Sequence, residues 1–364
     1  MKLWSKPSFA RYTNSTSSRR ERIGFVLWYC VAEGKMLRIF VSIMFCLLGA
    51  ALAGAPGRGL LLVANKGDQS LGIVDVSAGK MVATVPEGGK TGHEVVASPD
   101  GKTAYVPIYG DSGVGKPGTD GDHMVAIDIA SRKVIGSVSF GHGVRPHLPV
   151  FGPKDGLLYV TTELDQSVTI IDPKTLKIVG HIPTGQPESH MLVISHDGRR
   201  GYTANVGPGT VSVLDMQARK TVAVIPISAE TQRISISPDD KWVFTSDQKA
   251  PRLAVIDTAT NTVKTWIPLP GEGYGTASTP DGKFLLVDIP GKNQVAVVDL
   301  AAMKVVKSLD VPKAPQAVVV RPDGQEAYAS CDSSHKIAVI GVGDWTVKGM
   351  IDAGAGADGL AWAR

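Results

Sequence analysis

Short apolar runs, each closed by a polar or glycine-bearing turn, recur along most of the chain. Between His190 and Pro226 four of them follow one another, MLVI, GYTA, VSVL and VAVI. Runs of this length with turns between them predict a four-stranded antiparallel meander. The residue that ends the third run recurs at Asp75, Asp128, Asp172, Asp215, Asp257 and Asp299, with Gly341 in the same place in the last copy, so the steps are 53, 44, 43, 42, 42 and 42 residues. A sustained period of four strands per unit predicts an all-β chain, a β-propeller, because one such unit cannot bury both of its faces and must stack into a ring.

The two ends of the repeat predict how the ring closes. The run at 60–64 (LLLVA) matches the second strand of a repeat, and 360–363 (LAWA) match the first. Strands near 60, 71 and 81 are therefore expected to take the strand near 359 into one composite blade, giving seven four-stranded antiparallel blades closed by the C-terminal strand. Closure of this kind leaves no open sheet edge.

Each first run ends in a turn such as Ser98-Pro99-Asp100-Gly101, Thr279-Pro280-Asp281-Gly282 or Arg321-Pro322-Asp323-Gly324. Proline pre-sets φ at the second position, and glycine tolerates the exit geometry of a type I turn. The runs before these turns (VVA, LVI, SIS, TAS, VVV) are small and apolar without alternation, as an innermost strand packed on both faces requires. One unit breaks the period: residues 110–122 (GDSGVGKPGTDGD) lengthen the connection between the second and third strands by about ten residues. A loop lengthened in a single repeat is either a tolerated surface insertion or the means by which a repeat scaffold acquires a site.

Composition changes the picture at the N-terminus. Lys35 to Arg38, an apolar stretch at 39–53 and the ending Ala51-Leu52-Ala53 predict a secretory signal peptide over 36–53, cut after Ala53. The expected organisation is a leader over 1–53 and a single propeller over 54–364. An apolar stretch of this length falls short of the ~20 residues of a membrane-spanning helix, so no stable membrane anchor is expected. Eight of the 38 Lys and Arg and two of the 34 Asp and Glu lie in 1–53, so the formal charge of +4 becomes −2 for the remainder. Nothing in that balance calls for a nucleic acid. Of Cys30, Cys46 and Cys331 only Cys331 lies beyond the leader, which excludes an intramolecular disulfide in the mature chain.

The candidate chemistry comes from one register position. Six residues before the turn proline or its equivalent stand His93, His147, His190, Gln232, Tyr274, Gln316 and Asp358. Equivalent positions of a closed repeat form a ring, here expected at the mouth of the central channel. Three neighbouring members are histidine, and neutral imidazole is the commonest ligand of zinc and copper, so His93, His147 and His190 are the candidate metal ligands. The alternative is one inherited histidine lining a wet channel. The long loop should lie on the same face above His93, bringing Asp111, Asp120, Asp122 and His123 to the mouth. Glu94, Arg145, Glu188 and Arg233 flank the ring, and Glu163, Asp165, Asp247 and Asp288 sit at the same ends of their blades. With Gln232, Tyr274, Gln316 and Asp358 these residues make a charged funnel suited to a small polar or metal-bearing ligand.

The runs Tyr202-Thr203-Ala204-Asn205, Val211 to Asp215 and Val222 to Pro226, with copies at Tyr159 to Thr162 and Val168 to Asp172, resemble the YVTN-type β-propeller repeat over essentially all of 60–364. The resemblance implies an exported, periplasmic or secreted bacterial propeller, expected as a monomer. Relatives of that fold include lactonases, haem-binding nitrite-reductase propellers and subunits that dock on redox enzymes. Three readings therefore stand. One is a binding propeller for a metal ion or small polar ligand; another is a metal-dependent lactonase-like hydrolase with Glu94 or Glu188 as base; the last is an interaction scaffold for an extracytoplasmic protein partner, accessory to a redox system. The chain contains no Cys-x-x-Cys-His for covalent haem, no serine nucleophile elbow and no phosphate loop.

Overall fold

The computed structural model describes residues 59–364, together with a short antiparallel pair formed by Val31–Ala32 and Lys35–Met36. The predicted signal peptide beyond Met36 and its cleavage site fall outside the described residues. The remainder forms seven four-stranded antiparallel sheets. Blade 2 consists of Val96–Ala97, Thr103–Gly110, Asp120–Asp128 and Lys133–Ser139, from the innermost strand outward. Blade 3 follows with Pro146–Phe151, Leu158–Thr162, Ser167–Asp172 and Lys177–Pro183. The innermost strands of blades 4 to 7 are Ser189–Ile194, Thr231–Ile236, Thr276–Ser278 and Pro315–Val320.

Blade 1 is the predicted composite: Ala357–Ala363 lies inside Leu60–Asn65, Ser70–Asp75 and Lys80–Pro86. The seam is an antiparallel ladder in which Leu60 faces Ala363, Leu61 faces Trp362 and Val63 faces Leu360.

Burial explains why the units close. Second and third strands are buried along nearly their whole length, as in Leu158–Thr162, whereas outer strands alternate, as in Lys177–Pro183. The core is a set of wedges between neighbouring blades. Leu62, Leu71 and Ile73 of blade 1 pack on Val106, Val125 and Ile127 of blade 2. Leu61 and Val63 meet Tyr328 and Ile337 of blade 7 across the seam. A blade removed from the ring exposes both of its faces, so stability belongs to the ring rather than to any one repeat.

The turns take the expected form. Gly101 N–H donates to the Ser98 carbonyl at 2.8 Å, and Gly101 has a φ of 70°. Asp240 holds the same left-handed position at φ 59°, and its carboxylate accepts from the His196 N–H in the preceding blade at 2.8 Å.

Candidate functional site

The ring position is built by a break in the sheet. In blades 3, 4, 5, 7 and 1 the pairing of the innermost with the second strand shifts register at His147, His190, Gln232, Gln316 and Asp358. An extra residue there bends the strand and re-aims a side chain. Here it turns the ring residue toward the axis. Two residues earlier the backbone is left-handed at Arg145, Glu188, Ala314 and Gly356. Arg145 and Glu188 thus shape the approach to the bulge. In blades 2 and 6 the innermost strands are short, and His93 and Tyr274 precede them.

Side chains of the second strands close the bulges. Thr161 Oγ1 accepts from the Leu148 N–H at 3.0 Å and donates to the His190 carbonyl of the next blade at 2.7 Å. Thr245 donates to the Arg233 carbonyl at 2.7 Å. Asp288 occupies the place of Thr161 in blade 6, one position beyond that of Thr245. Its carboxyl is fully buried with both oxygens unpartnered, and burial raises its pKa well above the usual carboxylate range.

The three ring histidines converge. The centroids of His93 and His147 are 5.5 Å apart, and those of His147 and His190 3.5 Å, with the latter rings overlapping at 30°. His147 and His190 are buried at 2% and 1% exposure, so the ring is the packed floor of the mouth rather than its rim. Burial lowers His93 to about 3 and pushes His147 well below the usual imidazole value, which keeps both neutral. His93 Nε2 lies 3.0 Å from Thr91 Oγ1, and His147 Nδ1 is buried without a partner.

Two residues outside the predicted metal set complete this side. Tyr109 and Glu163 hold equivalent places at the ends of the second strands of blades 2 and 3. The fully buried Tyr109 donates its phenol to Glu163 Oε2 at 2.8 Å and stacks on His93 at 4.7 Å. Glu163 Oε1 pairs with His190 Nδ1. The Gln232 amide lies 3.0 Å from His190 Nε2, which places the His190 proton on Nδ1, facing Glu163. The sequence marked Glu163 only by its end of the blade. Its place is held by Val206, Gln248 and Pro290 in the next three repeats but by Asp332 and Lys66 in the two after them, so a charge there was no distinguishing signal.

The other side of the axis is ionic. Arg233 reaches across from blade 5 to Glu94 of blade 2 and to Asp358 of blade 1, the latter at 2.8 Å. Asp358 also takes Lys66 at 3.0 Å, and Lys66 reaches Asp332 at 3.1 Å. Burial opposes the Asp358 charge, yet Arg233 and Lys66 hold its pKa below the ordinary value. Burial pushes Glu94 up to about 7 against the pull of Arg233. Tyr274 carries the Arg233 guanidinium 4.8 Å from its ring centre. Gln316 is half-buried at its own bulge. Glu94, Arg233 and Asp358, expected as funnel groups, are thus a cross-axis strut.

The long loop departs from its expected position over His93. Asp120, Asp122 and His123 belong to the third strand, so the loop proper is 111–119. Its base touches Thr91 through the Gly110 carbonyl, but its tip leans over blade 3 toward blade 4. Arg145 holds it there, donating to Asp120 at 2.6 Å and to the carbonyls of Gly113 and Lys116 at 3.3 and 2.7 Å. Asp111 pairs with Lys90 at 3.2 Å, and Asp122 with its neighbour His123 at 2.7 Å. Neither Asp111 nor Asp122 pairs with His93, His147 or His190. Asp165 binds His142 at 2.9 Å and Asp247 binds Arg252 at 2.9 Å, both away from the axis.

Residues 152–279 match the family described as Cytochrome D1 heme domain, a stretch that includes Glu163, His190 and Arg233 but not His93, Tyr109 or His147. The hydrazine synthase of Kuenenia stuttgartiensis is similar at 20% identity and a TM-score of 0.67, over 78% of this chain and 92% of that one. No curated protein matches. At that identity the likeness is one of fold: the chain is a seven-bladed β-propeller, similar over part of its length to a haem-domain family.

Proposed function

We propose that the protein is an extracytoplasmic binding propeller of the YVTN type that holds a transition-metal ion, zinc or copper, through His93, His147 and His190. The observation that carries this reading is the unpartnered, buried Nδ1 of His147 between two further imidazoles. Neutral imidazole is the ligating form, and burial keeps His93 and His147 in it. A carboxylate on the far nitrogen of a ligating histidine fixes its tautomer and raises its basicity, and Glu163 stands in that relation to His190. Among the described residues no group of three or more such side chains stands ready to hold a metal. Binding therefore requires His147 to swing off His190, and His190 Nε2 to exchange the Gln232 amide for the ion.

The haem suggested by the partial family match does not fit on this axis. The space beside the strut is taken by the rings of His93, Tyr109, His147 and His190, five pairs of which have centres 3.5 to 6.1 Å apart. The hydrolase reading is also weakened, because Glu94 is engaged by Arg233 and Glu188 bonds the Gly207 N–H at 2.7 Å.

The test is the metal content of the exported, untagged protein purified without chelator, beside the variant carrying His93→Ala, His147→Ala and His190→Ala. Near-stoichiometric zinc or copper in the first and none in the second is the expected result. No metal in either after reconstitution overturns the reading and leaves the histidines as packing.

A further inference from the structure

The insertion in blade 2 frames a second cleft, outside the ring histidines and separated from His190 by Glu163. Between the loop and the tops of blades 3 and 4 lies a cleft of about 410 Å³, lined by Lys116, Pro117, Leu164, Gln166, Pro187 and Glu188, with Arg145 and Glu163 behind. That volume falls in the range of small-molecule sites, ~300–1,000 Å³.

The cleft is built rather than left over. Its outer wall is the loop, which Arg145 fixes through all three guanidinium nitrogens while itself only 7% exposed. Glu188 marks the far side: its carboxylate lies so close to the loop tip that a Cβ on Gly115 would come within 2.6 Å of Oε1. The glycine there is required both by that approach and by its φ of 65°. A wall held this way is pre-organised, which lowers the entropy lost on binding.

The lining specifies the chemistry of the occupant. Arg145 and Glu163 are already saturated by protein groups. Lys116 has no salt-bridge partner among the described residues, and of the Glu188 oxygens only Oε2 accepts a protein hydrogen bond, from Gly207. The cleft thus offers one cation, one anion and the Gln166 amide. Its remaining surface is apolar: Pro117, Pro187 and Leu164, a leucine 46% exposed. The open leucine thus stands beside an unpaired lysine and a carboxylate with one oxygen to spare, a combination a ligand with matching ends would cover.

We propose that this cleft binds a free α-amino acid with an apolar side chain: the carboxylate meets Lys116, the ammonium meets Glu188, and the side chain packs on Leu164 between the two prolines. The site shares no ligand group with the proposed metal site, so each stands or falls alone.

Titration calorimetry on the full protein with leucine and phenylalanine tests it, with N-acetyl-leucine and leucinamide as probes lacking one charge each. Saturable binding of the free amino acids is expected, weakened at least tenfold for either blocked probe. Lys116→Ala and Glu188→Gln should each weaken it tenfold as well, with metal content and melting temperature unchanged. Both variants spare the fold, since Lys116 is exposed and glutamine keeps the acceptor that Gly207 uses. No heat with either amino acid, or binding indifferent to both substitutions, overturns the proposal.

Discussion

The two halves of the central ring put the same backbone device to opposite uses. In blades 2 to 4 the inward-turned side chains are imidazoles, backed by a phenol and a carboxylate, and burial keeps His93 and His147 uncharged. In blades 5 to 1 the same positions hold or adjoin Arg233, Tyr274 and Asp358, and charge is retained because every ion has a counter-ion. One half has donor atoms to offer and the other ties blades together across the axis. The difference teaches that a repeat position fixes where a side chain points but not whether it binds or braces. That is decided by which neighbours satisfy it.

The comparison breaks most completely if the ring itself opens. Removing residues 358–364 takes the innermost strand from blade 1, together with Asp358 from the strut, and leaves the Leu60–Asn65 edge unpaired. The expected outcome is loss of the single cooperative transition in circular dichroism, with light scattering rising as the bare edges associate. A truncated protein that melts like the parent would show that the seam is dispensable.

The bracing half should yield next. Arg233→Met leaves Glu94 and Asp358 buried with less compensation, and breaking one partner of a buried ion pair costs about 3–5 kcal/mol. Urea unfolding at pH 7 should show that loss, and adding Glu94→Gln should restore part of it, because a neutral amide has no charge to compensate. The histidine half should respond less: Tyr109→Phe removes one hydrogen bond to the Glu163 carboxyl group and should cost about 2 kcal/mol. If Tyr109→Phe proves the more damaging, the assignment of bracing and binding to the two halves is reversed.

The fold was legible because it repeats. Six copies of a turn after an apolar run over-determine the blade, and the half-copies at 60 and 360 could be matched by their own sequences. The ring was legible for the same reason, since equivalence in register is equivalence in space once the ring closes. What could not be read was which side chains reach one another. Arg233 and Glu94 are 139 residues apart and belong to blades that are not neighbours, so no local pattern announces their contact. Tyr109 carried no mark at all, sitting at a strand end where an aromatic residue is ordinary. The loop was misplaced because its direction depends on Arg145, whose three bonds to it appear only in three dimensions.

The finest distinction between the halves concerns Asp288, which stands in blade 6 where Thr161 stands in blade 3. The threonine hydroxyl donates to the His190 carbonyl, and the carbonyl in the corresponding place is that of Gln316. A Cβ on Gly275 would lie within 2.3 Å of Asp288 Oδ2 and 2.6 Å of the Gln316 oxygen, so acid and carbonyl share one small space. Only the protonated acid has a donor to offer there. Arg233 is the charge that favours ionisation, but it is committed to Glu94 and Asp358, and burial prevails. A carboxyl whose folded-state pKa lies above its unfolded value of about 3.9 is harmless below pH 4. Its penalty grows as pH rises from there toward the folded-state value, because only the unfolded chain gains by ionising. Asp288→Asn supplies a permanent donor of the same shape. It should raise stability by about 1 kcal/mol at pH 8, measured by urea midpoint, and the gain should shrink to nothing as the pH is brought to 4. A gain that is flat with pH would mean that the carboxyl is not the titrating partner of this seam, and a loss at every pH would mean that it is held ionised by a group other than Arg233.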